Sequence, residues 1–141
     1  MNRLSYECTK KLLEEFDKEF SPCLSSKLDL SSYCAKLSEN AMFLLCTEKE
    51  HRIGYIAFYE NRTDNFVYIT SFCIKKDYRG KSIAQDMIKE LCEYSKKRRC
   101  KKIILEVRCN NERALHFYKK VSFHKLRETD KNTFVLSKSL S

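Results

Sequence analysis

Apolar residues recur along this chain at two spacings, and the change from one to the other divides it into ten segments. Leu12, Leu13, Phe16 and Phe20 share one stripe, which predicts a helix from about Thr9 to Phe20. Ser21-Pro22-Cys23 then stops it, since proline cannot continue a helix. Leu30, Tyr33, Cys34 and Leu37 repeat the helical spacing in a second helix that begins near Asp29. Three extended segments follow, Ala41–Glu48, Arg52–Glu60 and Phe66–Ile74, with the turn Asn61–Asn65 before the last of them. All three are rich in the β-branched and aromatic residues that suit half-buried strands.

The second half changes period again. From about Lys81 to Arg98 the rows Ile83–Met87–Leu91 and Ala84–Ile88–Cys92 give a wide apolar helix face. "KKIILEV" (Lys101–Val107) reads, by its continuity, as a buried strand. Asn111 to Val121 reads as a helix packed through Ala114, Leu115, Tyr118 and Val121. "FHKLRET" and "NTFVLSKSL" then form a closing pair of strands. The order α-α-β-β-β-α-β-α-β-β predicts a mixed α/β (α+β) fold. Its antiparallel meander feeds, through a helical crossover, the strand at "IILEV".

Composition narrows the class. A chain of 141 residues fits a single domain, 1–141, and is long enough to bury one sizeable core. No apolar run is long enough to span a bilayer. "MNRLSYECTKK" lacks the apolar block of a secretory signal, which argues for a cytoplasmic protein. The eight cysteines are scattered singly with no CxxC pair, so they read as reduced thiols used mainly for packing. With no ligand spacing among Cys or His, no metal site is expected. A net charge of +9 fits an anionic partner (nucleic acid, an acidic protein or a phosphate-rich cofactor) or simply a soluble surface.

"YRGKSIA" (Tyr78–Ala84) lies between a strand and a helix, where free backbone N–H groups and the helix dipole favour an anion. Gly80, one of only two glycines beside Gly54, allows a positive φ there, and Arg79 and Lys81 add charge. Alone, the stretch also fits an ordinary basic connection. The distant "LEVRCNNERALHFYKKVSF" changes that reading. Together the two segments resemble the GNAT (GCN5-related N-acetyltransferase) superfamily. Arg79-Gly80-Lys81-Ser82-Ile83-Ala84 aligns with the family's [QR]-x-x-G-x-[GA] loop, matching it at Arg79 and Ala84, and Asn111, Ala114, Phe117, Tyr118 and Phe123 match its second signature. Ser82 and Ser122 stand where the family carries glycine.

The resemblance implies a GNAT-like central mixed antiparallel/parallel sheet with helices on both faces. It further implies acetyl transfer from acetyl-CoA, as co-substrate and without a metal, to a primary amine by direct transfer in a ternary complex. The pantetheine arm would lie along Phe72, Cys73 and Ile74, with the pyrophosphate on the amides of Arg79, Gly80, Lys81, Ser82, Ile83 and Ala84. An N–H at or near Ile74 would polarise the thioester carbonyl.

Tyr118 would be the acid that protonates the CoA sulfur, against the alternative of a core tyrosine. Asn111 would contact the pantetheine or cap its own helix, or do both. Glu106, the lone acid in its strand, would be a general base or an ion-pair partner of Arg108 or a lysine, and a water-relayed base also stays open. Cys73, without an activating neighbour in sequence, reads as a packed thiol.

"KKRRCKK" reads as a solvated helix end or a contact for the CoA 3′-phosphate. It lacks the interleaved aromatics of a single-strand platform, which points away from nucleic acid. The acceptor would be a small molecule or a peptide N-terminus, and no membrane partner is implied. A homodimer stays open. The alternative function is a non-catalytic acyl-CoA-binding or nucleic-acid-binding module on the same fold.

Overall fold

The computed structural model describes residues 1–20 and 29–140. Its elements are α1 (Tyr6–Phe16), α2 (Leu30–Asn40), β1 (Met42–Glu48), β2 (His51–Asn61), β3 (Phe66–Ile74), α3 (Ile83–Lys97), β4 (Lys102–Arg108), α4 (Glu112–Lys120), β5 (His124–Glu128) and β6 (Thr133–Ser139). Short 3-10 turns follow α1 at Asp17–Glu19 and β3 at Lys76–Tyr78. The strands form one mixed sheet in the order β1-β2-β3-β4-β6-β5. Pairing is antiparallel for β1–β2, β4–β6 and β5–β6, and parallel for β3–β4. The predicted element order and the mixed α/β class hold.

The residues group into two compact units, Met1–Tyr59 with Ser71–Met87, and Glu60–Thr70 with Ile88–Ser141. In the first, Ser5 starts α1: its hydroxyl accepts the Cys8 N–H at 3.2 Å, so the helix begins three residues earlier than its apolar stripe suggests. The α-helix ends at Phe16 and tightens into the Asp17–Glu19 turn, so Phe20 lies beyond the helix proper. The expected stop at Ser21-Pro22-Cys23 lies outside the described residues. Asp29 caps α2, its carboxylate accepting the Ser31 N–H at 3.1 Å and the Ser32 hydroxyl at 2.9 Å. The Ser32 hydroxyl is the main reason the Asp29 carboxyl lies below its ordinary range.

Leu12, Leu13, Phe16, Cys34 and Leu37 from the two helices meet Phe43, Tyr55, Ala57 and Cys73 from the strands in this unit's core. Fully burying each large apolar side chain contributes roughly 1.5–3 kcal/mol. Tyr55 stands edge-on to Phe16 with ring centroids 5.1 Å apart, and its buried hydroxyl pairs with Ser71 Oγ at 2.7 Å. The tyrosine therefore adds its area to the core without an orphaned polar atom. An isolated antiparallel bridge joins Asn2 to Phe43 on β1.

In the second unit, β4 corrects an expectation. Its burial alternates, with Ile103, Leu105 and Val107 buried and Lys102, Glu106 and Arg108 exposed. Period-two alternation marks a strand with one face in the core, not one enclosed on both. The half-buried Ile104, on the outward side, makes the run look continuous in sequence. β5 is exposed along its whole length, is bulged between Lys125 and Arg127, and carries Leu126 at 50% exposure.

After α3, the Arg98 guanidinium grips Glu60 through two bonds of 2.8 Å, and Arg62 adds another at 3.1 Å. The Arg98 hydrogen bond is the main cause holding the Glu60 carboxyl below its usual range. Within "KKRRCKK", Arg98 is therefore an ion-pair partner, while Lys96 and Lys97 complement the dipole of the helix end.

Candidate active site

The parallel ladder of β3 with β4 runs over Phe66–Tyr68 and Lys102–Ile104, while β3 continues to Ile74 and β4 to Arg108. Along the rest of β3, Phe72 is half-buried and Cys73 and Ile74 are buried. Cys73 Sγ lies 3.9 Å from the Ile74 carbonyl oxygen, a weak contact of a packed thiol. The chain then makes the Lys76–Tyr78 turn and reaches Gly80 at φ +79°.

A Cβ at Gly80 would meet nothing within 4 Å, so the backbone there is open to a ligand. The first α-helical bond of α3 runs from the Asp86 N–H to the Ser82 carbonyl at 2.9 Å. The N–H groups of the first turn before it point forward without intrahelical partners, as an anion requires. The Ser82 hydroxyl donates to Asp86 Oδ2 at 3.3 Å.

The charges around this turn differ from the sequence reading. Arg79 does not reach forward: its Nε donates to the Ile74 carbonyl at 2.8 Å, and its Nη2 donates to the Glu19 carbonyl at 3.0 Å. Nη2 also meets Glu19 Oε1 at 3.3 Å. Lys81 rests its ammonium over the Tyr78 ring, 5.6 Å from the centroid. The Arg79 charge is thus neutralised behind the turn, and the turn's capacity for an anion rests on its amides and Lys81. Glu19 was invisible to motif reading, because it lies 60 residues upstream of Arg79.

In the second unit, Asn111 is the N-cap of α4, its side-chain oxygen accepting the Ala114 N–H at 3.1 Å. The capping role expected of it is present. Tyr118 follows two turns later and is 9% exposed. Its ring stands edge-on to Phe117 and to Phe123, with centroids 5.3 Å away in both cases. Burial pushes its phenol well above the ordinary tyrosine range, so the group stays protonated near neutrality. Among the described residues no side chain or carbonyl bonds to its hydroxyl.

Glu106 is exposed, which removes the burial argument for giving it an ion-pair partner. Its Oε2 instead accepts from the Thr133 hydroxyl at 3.2 Å, and Thr133 Oγ1 lies 2.7 Å from Thr129 Oγ1. Thr129 Oγ1 already accepts the N–H groups of Lys131 and Thr133, at 3.2 and 3.4 Å. Its proton therefore points to Thr133, whose own proton points to Glu106. One carboxylate oxygen is held by this hydroxyl chain. Neither threonine forms part of a motif that sequence could flag.

Among the described residues no group of three or more His, Cys, Asp or Glu gathers to hold a metal ion, and no helix is long and apolar enough to cross a membrane. The cysteines at 8, 34, 46, 73, 92, 100 and 109 form no disulfide, and Cys23 lies outside the described residues.

A family model described as "Acetyltransferase (GNAT) family" matches residues 7–123. Among curated proteins, a putative [ribosomal protein bS18]-alanine N-acetyltransferase of Bacillus subtilis is 29% identical over 113 residues, covering 77% of this chain and 74% of its own. N-alpha-acetyltransferase 30 of Schizosaccharomyces pombe is 36% identical over 56 residues, covering 40% of this chain and 37% of its own. Among solved structures, the PaiA N-acetyltransferase of Thermoplasma acidophilum, in complex with coenzyme A, superposes with a TM-score of 0.78 at 20% identity, covering 98% of this chain and 96% of its own. The ribosomal-protein-S18-alanine N-acetyltransferase of Escherichia coli gives 0.69 at 14% identity, covering 81% and 78%.

Proposed function

The chain belongs to the acetyltransferase (GNAT) family and is an N-acetyltransferase; from that premise we propose that it takes its acetyl group from acetyl-CoA and passes it to a primary amine by direct transfer in a ternary complex. The observation that carries the reading is Tyr118, a buried phenol held protonated, with no hydrogen-bond partner for its hydroxyl among the described residues. A protonated phenol whose hydroxyl is not taken up by a neighbouring group can give its proton to a leaving thiolate. The open space at Gly80 and the first-turn amides of α3 suit a pyrophosphate. Support for the donor also comes from the Thermoplasma acetyltransferase, which was crystallised with coenzyme A.

Acetyl-CoA supplies an activated thioester whose carbonyl carbon an amine can attack. The residues of this chain do the rest. The amides of Arg79, Gly80, Lys81, Ser82, Ile83 and Ala84 bind the pyrophosphate. Phe72, Cys73 and Ile74 offer backbone to the pantetheine arm in the manner of an added strand, and Asn111 contacts the arm while capping α4. Glu106, with one oxygen fixed by Thr133, takes the proton that the ammonium must lose before the free amine attacks, directly or through water, and the nitrogen's second proton passes to solvent from the tetrahedral adduct. Tyr118 gives its phenolic proton to the sulfur as the C–S bond breaks, and solvent restores it. The products are an N-acetyl amine and the free CoA thiol.

The test has two stages. Calorimetry should show that the chain binds CoA. A panel of peptide N-termini, polyamines and amino sugars should then yield at least one acceptor that releases thiol from acetyl-CoA. CoA binding without thiol release across the panel would remove the transfer reading.

A further inference from the structure

An arginine beside a phosphate-binding turn is the natural partner for the phosphate, because its fork matches oxyanion geometry. In this chain the fork is already occupied. Arg79 bonds the Ile74 carbonyl at 2.8 Å, the Glu19 carbonyl at 3.0 Å and the Glu19 carboxylate at 3.3 Å. The same carboxylate oxygen, Oε1, accepts the backbone N–H of Lys76 at 2.8 Å. Lys76 opens the 3-10 turn that precedes Gly80, and Arg79 ends it. Glu19 therefore holds both ends of the segment that delivers the cradle. The pair is partly shielded, with the two side chains 28% and 22% exposed.

The base of this latch is fixed as well. Glu19 closes the 3-10 turn that follows α1, three residues after the fully buried Phe16. One turn earlier, Glu15 pairs with Lys75 at 3.1 Å and with Arg52 at 3.7 Å. The Lys75 ammonium also lies 5.2 Å from the centroid of Phe16. The Lys75 N–H, for its part, is bonded to the Ile53 carbonyl at 2.9 Å.

From this arrangement we infer that Glu19 is a positioning residue for the phosphate-binding turn, acting through Arg79 and the Lys76 amide. The inference rests on the acetyl-CoA reading above and specifies how its pyrophosphate site is kept in shape. Donors already aimed at an anion bind it without first losing conformational freedom. Removing Glu19 frees the turn, while the separate bond from Arg79 Nε to the Ile74 carbonyl stays in place. The effect should then follow the pyrophosphate and leave the pantetheine arm alone.

Three ligands separate these contributions: CoA, ADP (pyrophosphate without the arm) and pantetheine (the arm without pyrophosphate). Glu19→Ala should weaken CoA and ADP by a similar factor, about tenfold or about 1.4 kcal/mol, with pantetheine binding unchanged in an NMR titration. Glu19→Gln keeps an acceptor for the Lys76 N–H but loses the charge, so its loss should fall between wild type and Glu19→Ala. That variant carries the test should Glu19→Ala fold poorly, its melting temperature serving as the control. Unchanged CoA affinity in either variant, or equal losses for pantetheine and ADP, overturns the latch. A wild-type chain that binds no CoA would instead remove the donor reading itself, and the latch with it.

Discussion

Phe123 donates its backbone N–H to the Tyr118 carbonyl at 2.9 Å, and the same two residues meet edge to face with ring centroids 5.3 Å apart. The Ser122 N–H bonds the Lys119 carbonyl at 3.0 Å, which completes the paired bonds and apolar contact of a Schellman ending. The end of α4 and the setting of the proposed acid are therefore one piece of structure.

This ending places Ser122 at φ +74°, a left-handed conformation that serine adopts less readily than glycine. Ser122→Gly should relieve that strain and raise stability by about 1 kcal/mol, or about 4 °C in melting temperature. Denaturant titration of the two proteins measures it. A less stable Ser122→Gly would mean that the serine is at ease there.

The two glycines should fail for different reasons. A Cβ at Gly54 would lie 2.5 Å from Ile74 Cδ1 and 3.2 Å from the Cys73 carbonyl oxygen, so Gly54→Ala should cost about 1–3 kcal/mol through overpacking. Gly80→Ala meets open space but inherits φ +79°, and should cost about 1 kcal/mol. Gly80→Asn should recover much of that loss, since asparagine tolerates the left-handed region, whereas Gly54→Asn should be worse than Gly54→Ala. Equal responses at the two sites would contradict this division.

Tyr118→Phe removes a hydroxyl that no described residue bonds. Fold stability and CoA affinity should change little, while kcat with any acceptor found active should fall by about a hundredfold or more. Wild-type turnover in the mutant would withdraw the acid role and leave Tyr118 as a core aromatic.

Burial raises the phenols of both Tyr55 and Tyr118. In each case the unfolded chain loses the proton first, near pH 10, so the folded state binds more protons above that point and stability falls as pH rises. Urea midpoints should be level from pH 7 to about 9 and decline beyond about 10. Tyr118→Phe should flatten part of the decline. An unchanged alkaline slope in that mutant would show that Tyr118 takes no part.

The order of elements was legible because apolar period separates helix from strand, and Leu12, Leu13 and Phe16 or Ile83, Met87 and Leu91 are unambiguous. The extent of α1 was less so, since the Ser5 cap and the tightening after Phe16 are matters of hydrogen bonding rather than hydrophobicity. Burial of Glu106 was misjudged because Ile104 fills the outward side of β4 beside it. The candidate residues of the two signatures could be read as local patterns. Their supports could not: Glu19 meets Arg79 across 60 residues, and Thr133 meets Glu106 across 27. Such partners are chosen by the fold and leave no periodic trace.

The exposed, bulged β5 also bears on how the protein behaves when crowded. It stands last in the sheet's strand order, with no strand on its other side among the described residues, a template on which a foreign strand could grow were it flat and apolar. His124, Lys125, Arg127 and Glu128 give that margin polar and charged side chains, and the irregularity between Lys125 and Arg127 breaks its regular ladder. An incoming strand would have to strip water from those charges and match an interrupted register. Leu126, half in solvent, is tolerable in that setting because its neighbours on either side are cations that discourage sheet-to-sheet growth.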